Sequence, residues 1–177
     1  MRGLNKLVLA ISVLLLAASC NKKDVPQKNY FFTFNVKIGK RVTEPTIING
    51  YYGTMNLYKG DFSATDSANV KQPVPARFEI LLFETSKKEA IDAASYIENG
   101  KVFYNLKQIK KADVKPKFII TPNKSGFYQF DPNDADYLAL ICVNKRTGYY
   151  PSGLGTLPSP GGVTRKLDMR VDYQATF

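Results

Sequence analysis

Apolar and polar residues alternate along much of this chain. From Tyr30 to Ile38 (YFFTFNVKI), Phe32, Phe34, Val36 and Ile38 take one side and Thr33, Asn35 and Lys37 the other. A period of two predicts a strand with one buried face. The last segment carries the same pattern for longer. Val163, Leu167, Met169, Val171, Tyr173, Ala175 and Phe177 share one side, with polar residues between them and only Arg165 out of place. A long strand with one wet face is predicted there. Shorter strands are predicted over Thr46–Tyr52 and Thr54–Tyr58, separated by breaks at Gly50 and Gly53. Others are predicted over Ala76–Phe83, Lys101–Leu106, Lys117–Thr121, Phe127–Phe130 and Tyr137–Asn144. Asn123-Lys-Ser-Gly126 and Asp131-Pro-Asn-Asp134 read as turns, with Gly126 free to take a positive φ. Lys59–Pro75 and the Gly/Pro-rich Pro151–Gly162 (PSGLGTLPSPGG) read as loops.

One segment changes period. Ser86 and Glu89 form an S-x-x-E capping box. Ala90, Ile91, Ala94 and Ile97 recur at helical spacing, and Gly100 sits where a C-terminal cap belongs. Many short strands at turn-punctuated intervals, with one short helix inserted between them, predict an all-β chain folded as a β-sandwich. No internal repeat is visible.

The N-terminus follows different rules. Arg2 and Lys6 precede an apolar run, Leu7 to Ala18, broken only by Ser12. About a dozen residues at ~1.5 Å each fall short of a ~30 Å bilayer core, but suit the h-region of a secretory signal. Small residues follow, Ala17, Ala18 and Ser19, and then Cys20. Leu16-Ala17-Ala18-Ser19-Cys20 resembles the lipobox of bacterial lipoproteins. The resemblance implies a diacylglyceryl group on the Cys20 sulfur, cleavage just before it, and acylation of the new N-terminus. Burial contributes ~0.8 kcal/mol per methylene and one chain holds weakly, so several chains make a lasting anchor. The other reading is a conventional signal peptide in which Cys20 is incidental. Asn21-Lys22-Lys23-Asp24 resembles the charged tether after the lipid cysteine in Bacteroidota lipoproteins. That implies an outer-membrane protein, facing the cell surface in preference to the periplasm. Asp24–Asn29 (DVPQKN) reads as linker. The expected organisation is a signal over 1–19, lipidated cysteine and tether over 20–29, and a single sandwich domain over 30–177.

Composition narrows the chemistry. The formal charge is +10, and the chain has neither histidine nor tryptophan. Without histidine there is no Ser-His-Asp or Cys-His catalysis and no imidazole metal site, so zinc of the usual kind is out. No glycine-rich phosphate loop occurs. A two-carboxylate glycosidase stays formally open, but the 15 acidic residues are scattered. The reading is non-enzymatic, with no cofactor and no metal. With Cys20 lipidated, Cys142 stands alone and a disulfide framework is excluded. Its setting, Tyr137–Val143 (YLALICV), reads as a buried small hydrophobe.

Two constellations are candidates for binding. Lys101 to Lys124 holds seven lysines against Asp113 alone. Lys107, Lys110, Lys111, Lys115 and Lys117 form its centre, a basic patch for anionic polysaccharide, lipid head groups or an acidic partner. The plainer reading is a solvated face whose lysines block edge-to-edge pairing. Nucleic acid is not expected, since lysine without arginine gives no bidentate base reading. The second constellation is a pair of tyrosine doublets, Tyr51-Tyr52 and Tyr149-Tyr150, which could stack on sugar. The alternative is that each doublet buries one ring and exposes the other.

Ile80-Leu-Leu-Phe83, the turn-and-strand Asn123-Lys-Ser-Gly-Phe-Tyr-Gln-Phe130, the strand Tyr137–Val143 and Gly148-Tyr149 together resemble the carboxypeptidase-regulatory or transthyretin-like β-sandwich. That resemblance implies a non-enzymatic scaffold or recognition module. The expected function is an outer-membrane-anchored lipoprotein. It would serve as an accessory, assembly or binding subunit of a cell-envelope complex, with the membrane reached through Cys20 and a protein as partner. Two rivals remain: a glycan-binding module of a nutrient-uptake system, and a surface-fibre subunit with Val163–Phe177 as its exchangeable strand.

Overall fold

The computed structural model describes residues 34–39, 42–63, 71–151 and 153–177, all of which fall in one compact unit. The expected signal, Cys20, the expected tether and the start of the first predicted strand lie outside the described residues. The strands are β1 (Phe34–Lys37), β2 (Gly50–Asp61), β3 (Val74–Pro75), β4 (Glu79–Glu84), β5 (Ser95–Glu98), β6 (Lys101–Asn105) and β7 (Phe118–Thr121). They continue with β8 (Phe127–Phe130), β9 (Tyr137–Asn144), β10 (Thr147–Tyr149), β11 (Gly155–Leu157), β12 (Thr164–Lys166) and β13 (Met169–Thr176). Two short helices interrupt them, α1 (Lys88–Asp92) and α2 (Leu106–Lys111).

The strands form two sheets. The larger runs β1-β7-β4-β9-β10-β6-β5, with β11 sharing the β10 side of β9. The smaller is built around β2. β8 and β3 line one of its edges, antiparallel, while β12 and β13 line the other, parallel. The facing sides of the two sheets meet in one core. Met55, Tyr128, Phe130 and Val171 come from the smaller sheet, and Ile80, Leu82, Ile120 and Ile141 from the larger. The fold is an all-β sandwich.

The larger sheet is buried on its outer face as well. Leu81, Phe83, Leu138 and Leu140 point away from the smaller sheet and pack with Ile91 of α1, Ile109 of α2, Ala94 and Val114. This second core explains why Ile80–Phe83 and Tyr137–Ile141 are continuous apolar runs rather than alternating ones. A strand covered on both faces has no wet side to encode. Helices of five and six residues are far too short to stand alone. Burial of Ile91 and of Ile109, at about 1.5–3 kcal/mol each, holds them on the sheet.

The expected helix is cut short. α1 stops at Asp92, a 3-10 turn over Thr85–Lys87 precedes it, and neither has a side-chain cap, so Ser86 and Glu89 do not close a capping box. Ile97 lies on β5, and Asn99 (φ 50°) and Gly100 (φ 73°) make the two-residue turn into β6. An Asn-Gly pair suits a hairpin whose twist requires two positive φ values, and it overrides the helical spacing. The helix that was not expected, α2, starts from a good cap: Asn105 Oδ1 accepts from the Lys107 and Gln108 N–H groups, both at 3.1 Å.

The glycines of β2 also act differently from expectation. Gly53 does not break its own strand, which runs twelve residues without interruption. A Cβ there would lie 2.0 Å from the Leu167 carbonyl oxygen. Glycine lets the neighbouring strand press in, and it is that neighbour which breaks. The single long C-terminal strand is divided at Leu167-Asp168 into β12 and β13, which hold one register against β2 up to Val171. Across the gap Leu167 N–H still donates to Tyr52 O (2.7 Å), and Asp168 Oδ1 takes the Thr54 N–H (2.9 Å). Met169, Val171 and Ala175 enter the core, while Val163 and Phe177 are exposed.

Candidate functional site

The tyrosine doublets sit on different sheets, Tyr51-Tyr52 on β2 and Tyr149-Tyr150 at the end of β10. Strand alternation sends Tyr51 and Tyr149 inward. The Tyr51 hydroxyl donates to Pro158 O (2.7 Å) and its ring lies against Phe130. The Tyr149 hydroxyl donates to Asp172 Oδ1 (2.6 Å), with its ring beside Phe103 and Tyr173. Burial raises both phenol pKa values, and for Tyr149 the bond to Asp172 and its charge add to the rise. Both rings belong to the core, so the four tyrosines form no common stacking surface. Tyr52 and Tyr150 are half-buried. Tyr150 lies over Gly155, where a Cβ would come within 2.3 Å of the ring.

The lysines are sorted by the fold. Lys101 is held in the structure: its ammonium donates to Asp172 O (2.6 Å) and Ala175 O (3.2 Å) beside the irregular stretch of β13. Lys107, Lys110 and Lys111 ride on α2, and Lys115 and Lys117 follow in the connection to β7. Lys107 borders a small hollow with Tyr96 and Arg146. Lys110 and Lys115 border a groove of about 500 Å³ on the outer face of the larger sheet. Lys111 and Lys117 are not among its lining residues.

The floor of that groove is apolar: Leu81 and Phe83 of β4, Leu106 and Ile109 of α2, Val114, and Ile119 of β7. Its rim holds a third cation, Lys145, from the turn between β9 and β10. Among the described residues no acidic side chain lines it. Asp113 reaches Lys115 from outside, at 3.1 Å, in an exposed pair. Among the described residues Lys110 and Lys145 have no ion-pair partner. Sequence reasoning found two of the groove's three lysines from the local charge run. It missed Lys145, which lies far along the chain in a Lys-Arg turn with no periodic signal of its own.

A second feature is the open edge of the larger sheet. β5 pairs with β6 and is the last strand in the order. All four of its residues are exposed, Ile97 at 76 %. Tyr96 stacks on Phe103 with ring centres 5.7 Å apart.

Cys142 is half-buried against the outer core rather than fully enclosed, and its thiol donates to Asn144 O (3.0 Å). Burial and the nearby Glu79 charge push its pKa up to about 11, so at neutral pH it is a thiol and a poor nucleophile. Among the described residues no group of three or more His, Cys, Asp or Glu side chains could hold a metal ion. None of the described helices is long and apolar enough to cross a membrane. The chain matches no family model, no curated protein and no solved structure.

Proposed function

We propose that this protein is a lipid-anchored, non-enzymatic accessory subunit of a cell-envelope complex, held at the outer membrane through Cys20. A partner protein adds an extended strand to the open edge of the larger sheet. The observation that carries this reading is β5. A strand that is terminal among the described residues, with all four side chains exposed, offers a free backbone edge there and two large apolar side chains, Tyr96 and Ile97. Edges of this kind are normally blunted by charge or proline, because they recruit other strands. β5 carries no lysine and no proline, and its one charge, Glu98, stands at its C-terminal end beside the turn. Main-chain hydrogen bonds would supply affinity, and the alternating Tyr96 and Ile97 side chains would supply selectivity.

The test is recovery of the tagged full chain from detergent-solubilised membranes, beside an Ile97→Lys variant. Ile97 is on the surface, so the variant leaves the fold intact. A stoichiometric partner that co-purifies with the native chain and is lost with Ile97→Lys supports the reading. Recovery of the free lipoprotein alone ends it. Mass spectrometry of the same material reads the anchor: an unmodified thiol at position 20 removes the membrane half of the proposal.

A further inference from the structure

We propose that the groove between α2 and β7 binds a single-chain fatty carboxylate, with the alkyl chain on the apolar floor and the carboxylate among Lys110, Lys115 and Lys145. This goes beyond the strand-edge reading, and it does not depend on the anchor. Two independent features meet in one place. The first is an apolar lining drawn from β4, α2, the α2–β7 connection and β7, with Leu106 and Ile119 its partly exposed members. The second is a rim of three lysines from α2, the α2–β7 connection and the β9–β10 turn, with no acidic side chain among the described residues lining the space. Each feature alone has an ordinary explanation: solvent-facing lysines are common, and so are shallow apolar dents. Their superposition selects a ligand with an apolar body and one anionic end.

Size and charge narrow the class. A space of about 500 Å³ falls within the ~300–1,000 Å³ typical of small-molecule sites. That room suits one alkyl chain, and the occupant argued for is the free single-chain acid, with a two-chain anionic lipid as the competing outcome of the test. Only one of the three lysines, Lys115, has an acidic partner, Asp113. An anion at this rim gains from their charge, whereas an uncharged alcohol would not. Lysine also brings four methylenes under its charge, so the rim can fold its stems over the chain while the ammonium groups stay wet.

The experiment uses the chain from Asn21 onward, which lacks only the signal and Cys20 and keeps every residue of both cores. Calorimetric titration with octanoate, decanoate and dodecanoate, below their micellar concentrations, should give one site. Affinity should rise with length by up to about fourfold per methylene. Dodecanol and dodecyltrimethylammonium, with the same chain and no anion, should bind more weakly. The difference between dodecanoate and dodecanol should shrink in high salt. The Lys110→Glu/Lys145→Glu double variant changes two exposed rim residues, leaves the floor untouched, and should weaken dodecanoate about tenfold with little effect on dodecanol. Leu106→Trp, which fills the groove, should abolish binding of both.

Three results would overturn the proposal. Equal affinity for dodecanoate and dodecanol would remove the role of the lysines. Unchanged dodecanoate affinity in the double variant would place the anion elsewhere. Binding to vesicles of anionic phospholipid without binding to free dodecanoate would make this a membrane-facing surface instead. Loss of strand-edge capture in the Ile97→Lys chain bears on none of these outcomes, so the two readings fail separately.

Discussion

Asn123 is the one buried polar residue among the described positions, and replacing it tests how the sandwich closes at one end. Its Oδ1 accepts from the Ser125 N–H (3.0 Å), the Ser125 hydroxyl (2.7 Å) and the Phe127 N–H (3.1 Å). Its Nδ2 donates to Gly39 O (3.2 Å) and Val42 O (2.6 Å). One amide thus shapes the turn before β8 and ties it to the segment after β1. In Asn123→Ala the partners at Ser125, Gly39 and Val42 can turn to water, so their loss is modest. The Phe127 N–H is buried and cannot. A net bond contributes about 0.5–1.5 kcal/mol, and an orphaned buried donor costs about 1–3 kcal/mol. The sum is about 3–5 kcal/mol, a large part of the ~5–15 kcal/mol typical of a domain. Urea unfolding, followed by tyrosine fluorescence, should show the midpoint falling by more than about 1 M, given slopes of ~1–3 kcal/mol per M. Asn123→Asp separates the two halves of the network. It keeps the three accepted bonds but turns an oxygen toward Val42 O, so it too should be destabilised. A loss below about 1 kcal/mol in the alanine variant would refute the reasoning, since the Phe127 N–H would then have found another partner. An aspartate variant as stable as the native chain would show that the tie to Gly39 and Val42 contributes nothing.

Gly53→Ala should destabilise by more than about 3 kcal/mol or prevent folding, because the new Cβ meets the Leu167 backbone. Gly100→Ala is its control: nothing lies within 4 Å, and only the positive φ opposes it, for about 1 kcal/mol by thermal melt. Asn105→Ala should cost about 1 kcal/mol, the usual loss for a helix N-cap, read by urea titration. Alkaline pH should unfold the protein. Burial raises the pKa of Tyr128 well above its ordinary 10.0, and that of Tyr149 too, so below pH 10 both states keep these protons and stability is unaffected. Above it the unfolded phenols ionise first and stability falls as pH rises. Phenolate absorbance from the last tyrosines should appear only as the sheet circular dichroism is lost. Ionisation of all eleven tyrosines in a folded chain would contradict this.

The strands that could be read from the sequence are those whose ends are fixed by local turn chemistry. Phe127–Phe130 and Tyr137–Asn144 fall where expected because Gly126 (φ 78°) and the Asp131–Asp134 turn punctuate them. One misread stretch is 86–100, where two local signals conflict. Ile91 and Ala94 do turn to one face, as helical spacing requires, and both reach the outer core. Asn99-Gly100 nevertheless commits the next residues to a hairpin, and the short helix yields. Other features are set by distant residues and leave no local mark. The break at Leu167 is imposed by Gly53 on the adjacent strand. The inward turn of Tyr51 and Tyr149 depends on which sheet face meets the other sheet. The groove needs β4, α2, β7 and the Lys145 turn together, and no window of the sequence contains them all.

The two short helices connect fold to binding surface. A large sheet with apolar residues on both faces can bury only one of them against a smaller sheet. The outer face needs its own cover, at about 25 cal/mol for each Å² taken from water. α1 and α2 deliver Ile91 and Ile109 to that face, which accounts for their presence in an otherwise β-stranded chain. A longer helix would close the face completely. The six residues of α2 do not, and the remaining opening lies where the chain also gathers its lysines. If those lysines served only as a solvated fence against aggregation, acidic residues would serve equally, and a mixture of signs would cost less in self-repulsion. A rim of one sign around an apolar groove is the arrangement in which further cover and charge compensation arrive together, from one amphiphilic anion.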